Sequence, residues 1–321
     1  MRSPLSSPIT YSPSVTITLT HDCPWHCQYC GFRTDGEGLI SESEVERIIQ
    51  TGLDAGATEA LLISGEKPHR MKHLKEEAEG RGYNDVWSFA EAVAGRCIAA
   101  GLWPHGNYGA LEVDDFQRLR QSHVSMGVML ESVEDHPEVA PEKKAAGRIA
   151  TIANAGEARV PFTTGLLLGA GESKDSRYAS LDQLAALHRE HHHLQEILLQ
   201  PCVSNEGFQI REQKVSAEEI IELIDYWRQR CPGVAVQVPP NVTEVFQELL
   251  PFIDDIGGIS VLRDEVNQTS PWEKVETYRN MARGVGRDLK ERIPLYDSFR
   301  TKEWVDLRFS KLVLPEPVRL V

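Results

Sequence analysis

The sequence predicts an α/β fold, a partial or complete (β/α)8 TIM-type barrel, on three observations. Short β-branched or apolar segments alternate with amphipathic ones from Ser14 to Ser260, and strand-helix units in series need right-handed crossovers and a parallel sheet. No linker, low-complexity tract or internal repeat interrupts the 321 residues. We therefore expect one domain over 1–321, its C-terminal part closing the barrel and contributing to a substrate pocket. Third, the residues with chemistry fall just past strand ends, where barrel enzymes work.

The first strand is Ser14 to Thr20, where Val15, Ile17 and Leu19 alternate with threonines. Ser41 is a helix cap ahead of the amphipathic spacing Val45, Ile48, Ile49, Leu53, which stops near Gly56. A second strand spans Glu59 to Ser64, and the charged stretch Lys67 to Arg81 reads as a solvated excursion after it. The alternation then continues with helix Val86 to Ala100, strand Leu102 to Gly106, helix Asp114 to Arg120 and strand Val124 to Leu130. Helix Lys143 to Ala155, strand Phe162 to Leu168, helix Leu181 to Glu190 and strand Leu194 to Leu199 follow. Helix Ala217 to Arg230, strand Val234 to Val238 and an apolar segment at Ile256 to Ser260 complete the series.

Composition narrows the function. A net charge of -14 and a pI near 5.3 speak against nucleic acid or an anionic membrane, both of which need a basic face. Small molecules are the expected partners. Met1 to Pro8 offers no apolar core for a signal peptide, and no run reaches the roughly 18 apolar residues of a membrane span. A cytoplasmic protein is expected. Three of the six cysteines sit within eight residues and the others are scattered, which points to a metal or cluster site in a reducing compartment.

The loop Thr20-His-Asp-Cys-Pro-Trp-His-Cys-Gln-Tyr-Cys-Gly-Phe32 carries that cluster of cysteines. Three thiolates on a C-x3-C-x2-C spacing, Cys23, Cys27 and Cys30, can hold three irons of a 4Fe-4S cubane and leave the fourth open. An open iron is where S-adenosylmethionine (SAM) can bind through its amino and carboxylate groups and split to a 5'-deoxyadenosyl radical. With Tyr29 just before the last cysteine, the motif resembles the signature of the radical SAM superfamily. The competing reading is a zinc knuckle completed by His21 or His26, which lacks the second ligand half usual in such sites. The run His188, His191, His192, His193 also invites a metal, but consecutive histidines at a helix end cannot all face one ion.

Further stretches extend the resemblance. Ser64, Gly65 and Glu66 look like the superfamily's glycine-rich segment that receives the SAM amino group. Glu131 ends a strand, where it is a candidate for the SAM ribose or amine, and Arg148 for the SAM carboxylate. Gly165-Leu-Leu-Leu-Gly-Ala-Gly-Glu172, with Gly169 in it, resembles the strand whose glycines leave a slot for adenine, and Leu199 and Gln200 end the next strand on the cofactor side.

The whole chain resembles one family, the first subunit (CofG) of FO synthase, which forms a deazaflavin. The likeness lies in Cys-Gly-Phe-Arg-Thr34, Leu-Ile-Ser-Gly-Glu-Lys-Pro68, Val-Ser-Met-Gly-Val-Met-Leu-Glu131, Pro161-Phe-Thr-Thr-Gly-Leu-Leu-Leu-Gly and Gln195-Glu-Ile-Leu-Leu-Gln-Pro201. It continues in Gly257-Gly-Ile-Ser, Asp264-Glu-Val-Asn and Pro271-Trp272. The resemblance implies consumption of SAM, hydrogen abstraction from a hydroxybenzyl adduct of ribityl-diaminouracil supplied by a CofH-like partner enzyme, ring closure and loss of ammonia. A ferredoxin- or flavodoxin-type protein would provide the electron. The chain departs from the family at Pro104-His-Gly-Asn-Tyr-Gly109, where a threonine is usual after the histidine, and at Ile259-Ser-Val-Leu-Arg263, where a cation replaces a small hydroxyl. His105, Asn107, Tyr108, Arg263 and Asn267 are the substrate-side candidates. These departures motivate a second reading, a related radical SAM enzyme for an anionic or amino-acid-derived substrate; a third, of another class, is a non-catalytic protein that uses a zinc or iron centre structurally.

Overall fold

Alternating burial along the chain assembles a closed barrel. The computed structural model describes residues 5–203, 213–261 and 270–313. In order come β1 (Ile9–Thr20), α1 (Glu42–Asp54), β2 (Glu59–Ser64), α2 (Lys72–Gly80), α3 (Val86–Ala100), β3 (Trp103–Asn107), α4 (Val113–Leu119) and β4 (Ser125–Gly127). Then follow α5 (Ala145–Glu157), β5 (Phe162–Leu168), α6 (Lys174–His191), β6 (Leu194–Pro201), α7 (Ala217–Arg230), β7 (Ala235–Gln237), α8 (Phe246–Leu249), β8 (Asp255–Ser260), α9 (Val275–Gly284) and β9 (Leu289–Glu291).

All strand pairings are parallel, and β1 joins both β2 and β8, so eight strands close on themselves. The expected α/β barrel is therefore complete. β9 lies outside the ring, on the edge of β1 below the start of β2: Ile9 to Tyr11 face Leu289 to Glu291, whereas β2 pairs from Ser14 onward. Beyond it the chain turns under the barrel. Leu295, Phe299, Val305, Phe309 and Leu312 pack there with Val124 in a small apolar cluster of their own. The Ser125 hydroxyl donates to the Pro294 carbonyl, fastening this segment to β4.

Three expectations need correction. The stretch Lys67 to Arg81 is no mere solvated excursion: it forms a short 3-10 turn at Pro68–Arg70 and then α2, which buries Leu74 and Ala78 while its charges face water. The strand expected over Val124 to Leu130 keeps a continuous ladder only at Ser125–Gly127; the Val128 N–H still bonds the Thr163 carbonyl, the Leu130 N–H goes to the Thr164 hydroxyl, and a single bridge returns at Glu131 opposite Leu166. α6 begins at Lys174, seven residues before the expected Leu181, since Ser173 caps it and accepts from the Ser176 N–H. No helix among the described residues is long and apolar enough to cross a membrane.

Candidate active site

The cysteine loop leaves the carboxyl end of β1 and is held from behind by one carboxylate. Asp22 accepts from the N–H groups of Gly36 (2.6 Å), Glu37 (3.2 Å) and Gly38 (3.3 Å) and bonds His73 of α2 at 2.7 Å. Burial alone would raise this carboxyl, but His73 and the three backbone donors outweigh it and hold Asp22 below its ordinary value. Gly36 and Gly38 both have positive φ, 77° and 75°, which lets the backbone fold around the carboxylate. The Glu66 N–H points at Cys23 Sγ from 3.4 Å, so β2's end touches the loop.

Cys23, Cys27 and Cys30 are half-buried on the rim of a chamber of about 330 Å³, the scale of a small-ligand site. Burial pushes the Cys30 thiol up to about 11 and Cys27 upward as well, so coordination is what would draw their protons off. His21 and His26 have other partners: His21 Nδ1 lies 2.9 Å from the Phe32 carbonyl, and His26 Nδ1 lies 2.8 Å from Glu142. Among the described residues no three His, Cys, Asp or Glu side chains converge to hold a single metal ion, the histidine run at the end of α6 included.

The strand ends bring the candidates for SAM into this chamber. Ser64, Gly65 and Glu66 line it from β2, Glu131 from beyond β4, Arg148 from α5 and Gln200 from β6. A Cβ on Gly65 would run into the Asp22 carbonyl and stand 2.8 Å from Cys23 Cβ, which is why the position takes glycine. Arg148 is only 5% exposed and is no surface arginine. Its Nη2 donates to Glu66 at 2.9 Å and its guanidinium lies 5.1 Å from the Trp25 ring, yet Nε and Nη1 are buried without a partner. A buried donor pair left open is costly unless a ligand meets it. Glu66 is occupied on its far side by the Ala110 N–H at 2.6 Å.

Tyr29 and Glu131 meet across the rim at 2.6 Å, and Lys143 reaches both at 2.5 Å. Burial, with the Glu131 charge beside it, lifts the Tyr29 hydroxyl well above its ordinary value, so it stays a donor. Glu131 sits at φ 70°, an uncommon conformation for a side chain of this size. Lys143 and Trp25 also line the chamber; neither was among the candidates, Lys143 having been placed only as the start of a helix.

A second chamber of about 210 Å³ lies deeper in the barrel and shares Asn107, Val128, Met129, Leu198 and Gln200 with the first. The two adjoin across these five residues. His105 lines the deeper one, its Nδ1 2.7 Å from the Ser125 hydroxyl. Because that hydroxyl donates to Pro294, it can only accept from His105, which fixes the proton on Nδ1 and leaves Nε2 as a lone-pair acceptor. Burial holds the ring neutral, its value pushed down to about 3.

Three candidates do not reach these chambers. Tyr108 is buried in the core, bonded to His123 at 2.7 Å and packed against Trp87; one residue past the end of β3, its side chain is turned outward. Leu199 is likewise in the core, and strand alternation gives Leu198 and Gln200 the cavity face. Gly169 forms no chamber wall: at φ 86° it turns the chain, its N–H held by Glu172 at 2.7 Å. Arg263 and Asn267 lie outside the described residues.

A complete parallel barrel with three cysteines after its first strand and an open arginine beside them defines a radical SAM enzyme, and residues 17–184 match the radical SAM superfamily. The backbone resembles methylornithine synthase (PylB), with a TM-score of 0.66 over 88% of this chain and 84% of that one at 14% identity. The 7,8-didemethyl-8-hydroxy-5-deazariboflavin synthase of Methanosarcina mazei is 35% identical over 95% of this chain and 93% of its own length. That of Methanothermobacter thermautotrophicus is 34% identical over 95% and 97%. The chain belongs to the 7,8-didemethyl-8-hydroxy-5-deazariboflavin synthase family of radical SAM enzymes.

Proposed function

We propose that this chain is the CofG-type component of FO synthase, closing a hydroxybenzyl adduct of ribityl-diaminouracil to the deazaflavin with loss of ammonia. The observation that carries the reading is the pair of adjoining chambers, one lined by the three cysteines and Arg148 and the other reaching into the barrel interior, with Asn107, Val128, Met129, Leu198 and Gln200 in common. Full-length similarity to synthases of that name supports it. Bound at the rim, a 4Fe-4S cluster with SAM supplies a 5'-deoxyadenosyl radical that takes a hydrogen atom from the substrate.

The chain's own residues prepare that event. Cys23, Cys27 and Cys30 would hold the cluster through their thiolates. Arg148 Nε and Nη1 would meet the SAM carboxylate, while Glu66 fixes the other side of the guanidinium. Glu131, braced by Tyr29 and Lys143, would receive the ribose hydroxyls, and Ser64, Gly65 and Gln200 complete the walls. Below, Asn107 and the bare Nε2 of His105 receive substrate N–H or O–H groups. A CofH-like partner supplies the adduct, a ferredoxin- or flavodoxin-type protein the electron, and a reducing cytoplasm the setting.

Anaerobic incubation of the reconstituted protein with SAM, a reductant and the adduct is expected to give a fluorescent deazaflavin together with 5'-deoxyadenosine. 5'-Deoxyadenosine without deazaflavin assigns the same machinery to another substrate, and a protein unable to take up iron or cleave SAM removes the radical reading altogether.

A further inference from the structure

Below Asn107 the deep chamber ends on a polar floor. Glu59 of β2, Glu196 of β6, Gln237 of β7 and Arg292, just past β9, line it, with Asp255 of β8 and Tyr296 behind them. Arg292 is engaged at each nitrogen: Nε and Nη2 lie 2.6 and 2.8 Å from Asp255, Nη2 lies 3.2 Å from Glu196, and Nη1 donates to the Ile293 carbonyl at 3.3 Å. Glu196 also accepts from the Tyr296 hydroxyl at 2.7 Å and, with the Gln237 amide nitrogen turned toward it, from that group at 3.0 Å. Glu59 differs. It is 5% exposed, faces the cavity, and makes no ion pair among the described residues.

The balance of charge rules on what the floor accepts. Three acidic side chains surround one guanidinium whose donors are committed, so an anionic group pushed down here meets no available cation among the described residues. Burial drives the Glu59 carboxyl upward against the pull of Arg292 and the Ser12 hydroxyl, and drives Glu196 up to about 8. A carboxyl accepts from hydroxyl groups in either protonation state and, where it holds a proton, donates to them as well. Just above, Leu61, Val128, Met129 and Leu198 form an apolar band, the kind of surface that takes the face of a flat ring. Gly258 keeps the space beside Glu59 open: a Cβ there would sit 3.5 Å from Oε1.

We propose that the barrel floor is a polyol subsite, in which Glu59 is the principal contact for a polyhydroxylated chain whose ring system lies in the apolar band beneath the SAM chamber. The inference deepens the deazaflavin reading, on which it rests for the identity of that chain as ribityl. It also turns the substrate tail-down, with its reacting carbon toward the cysteine rim.

Anaerobic titration calorimetry on the cluster-loaded, SAM-bound protein tests it, with ribityl-diaminouracil and a counterpart carrying a pentyl chain in place of ribityl. The wild type is expected to prefer the ribityl compound by roughly tenfold or more, the worth of one or two buried hydrogen bonds. Glu59→Leu should reduce that preference to within about twofold, and Glu59→Gln, which keeps a donor and an acceptor, should retain most of it. Equal binding of both compounds by the wild type, or a preference undiminished in an iron-replete Glu59→Leu, overturns the proposal. Should Glu59→Leu fail to load iron, Gly258→Ala decides: its methyl fits at ordinary contact distance yet narrows the same space, so an unchanged preference there also overturns it. The two readings fail separately. A ribityl preference without deazaflavin formation removes the reaction and keeps the subsite, and deazaflavin formation without the preference does the reverse.

Discussion

Arg148 shows how much a single side chain can declare. Helix α5 buries it, Trp25 and Glu66 fix its plane, and two of its nitrogens are left facing a chamber. Arg148→Gln should therefore leave iron content intact while weakening SAM binding by roughly ten- to a hundredfold, the cost of losing a charge-assisted fork and stranding Glu66. Arg148→Lys should recover only part, because an ammonium cannot span both partners. Equilibrium dialysis of SAM against the reconstituted variants checks both, and wild-type affinity in Arg148→Gln would remove the assignment. The sequence exposed Arg148 through its place after the Glu131 strand, but exposure and partners are three-dimensional facts. Lys143 stayed hidden for the same reason: next to Glu142 and Lys144 it looks solvated, and only the fold brings it to Tyr29 and Glu131. Tyr108 and Leu199 were misplaced by single-residue ambiguities at strand ends, where alternation no longer says which face is inside.

Among the elements, the turn between β1 and α1 is the most demanding. Helix α1 is legible from end to end, since Ser41 caps it and its apolar stripe stops at the helix end. The loop before it is not, because its order depends on Asp22 gathering three distant N–H groups and a histidine from α2, an element that charge density disguised. β2 arrives against this loop with Gly65, where any side chain would meet backbone, a neighbour unable to move aside. Gly65→Ala should accordingly cut iron per chain by more than half while helix and strand content, read by far-ultraviolet circular dichroism, stays unchanged. Full iron loading in that variant would mean the loop is not positioned by β2. The late β9 was beyond reach of pattern because three paired residues carry too little periodicity to register, and β4, expected over Val124 to Leu130, proved shorter than its apolar run.

At the scale of the molecule, the order of strands and helices was legible because local alternation and right-handed crossovers leave one economical closure. The polar interior was not. Glu59 and Glu196 read as ordinary strand residues until Arg292 arrives from far along the chain, after β9, to sit between β6 and β8. The cluster ties the C-terminal segment to the barrel, and its carboxyls give folding a pH dependence whose sign follows from burial. Glu196 is raised from 4.5 to about 8, chiefly by desolvation and by the Asp255 charge, against the opposing field of Arg292. Over that interval the native protein holds a proton that the unfolded chain has released, so stability falls as pH rises, by at most roughly 1.4 kcal/mol per pH unit for one group, and levels off above the native value. Anaerobic urea unfolding of the cluster-loaded protein at about pH 6, 7 and 8 should show a declining midpoint in the wild type and a flatter one in Glu196→Gln, which is permanently neutral. Parallel pH profiles in the two proteins would mean that Glu196 is already ionised in the fold, with Arg292 and its neighbours compensating the charge in full.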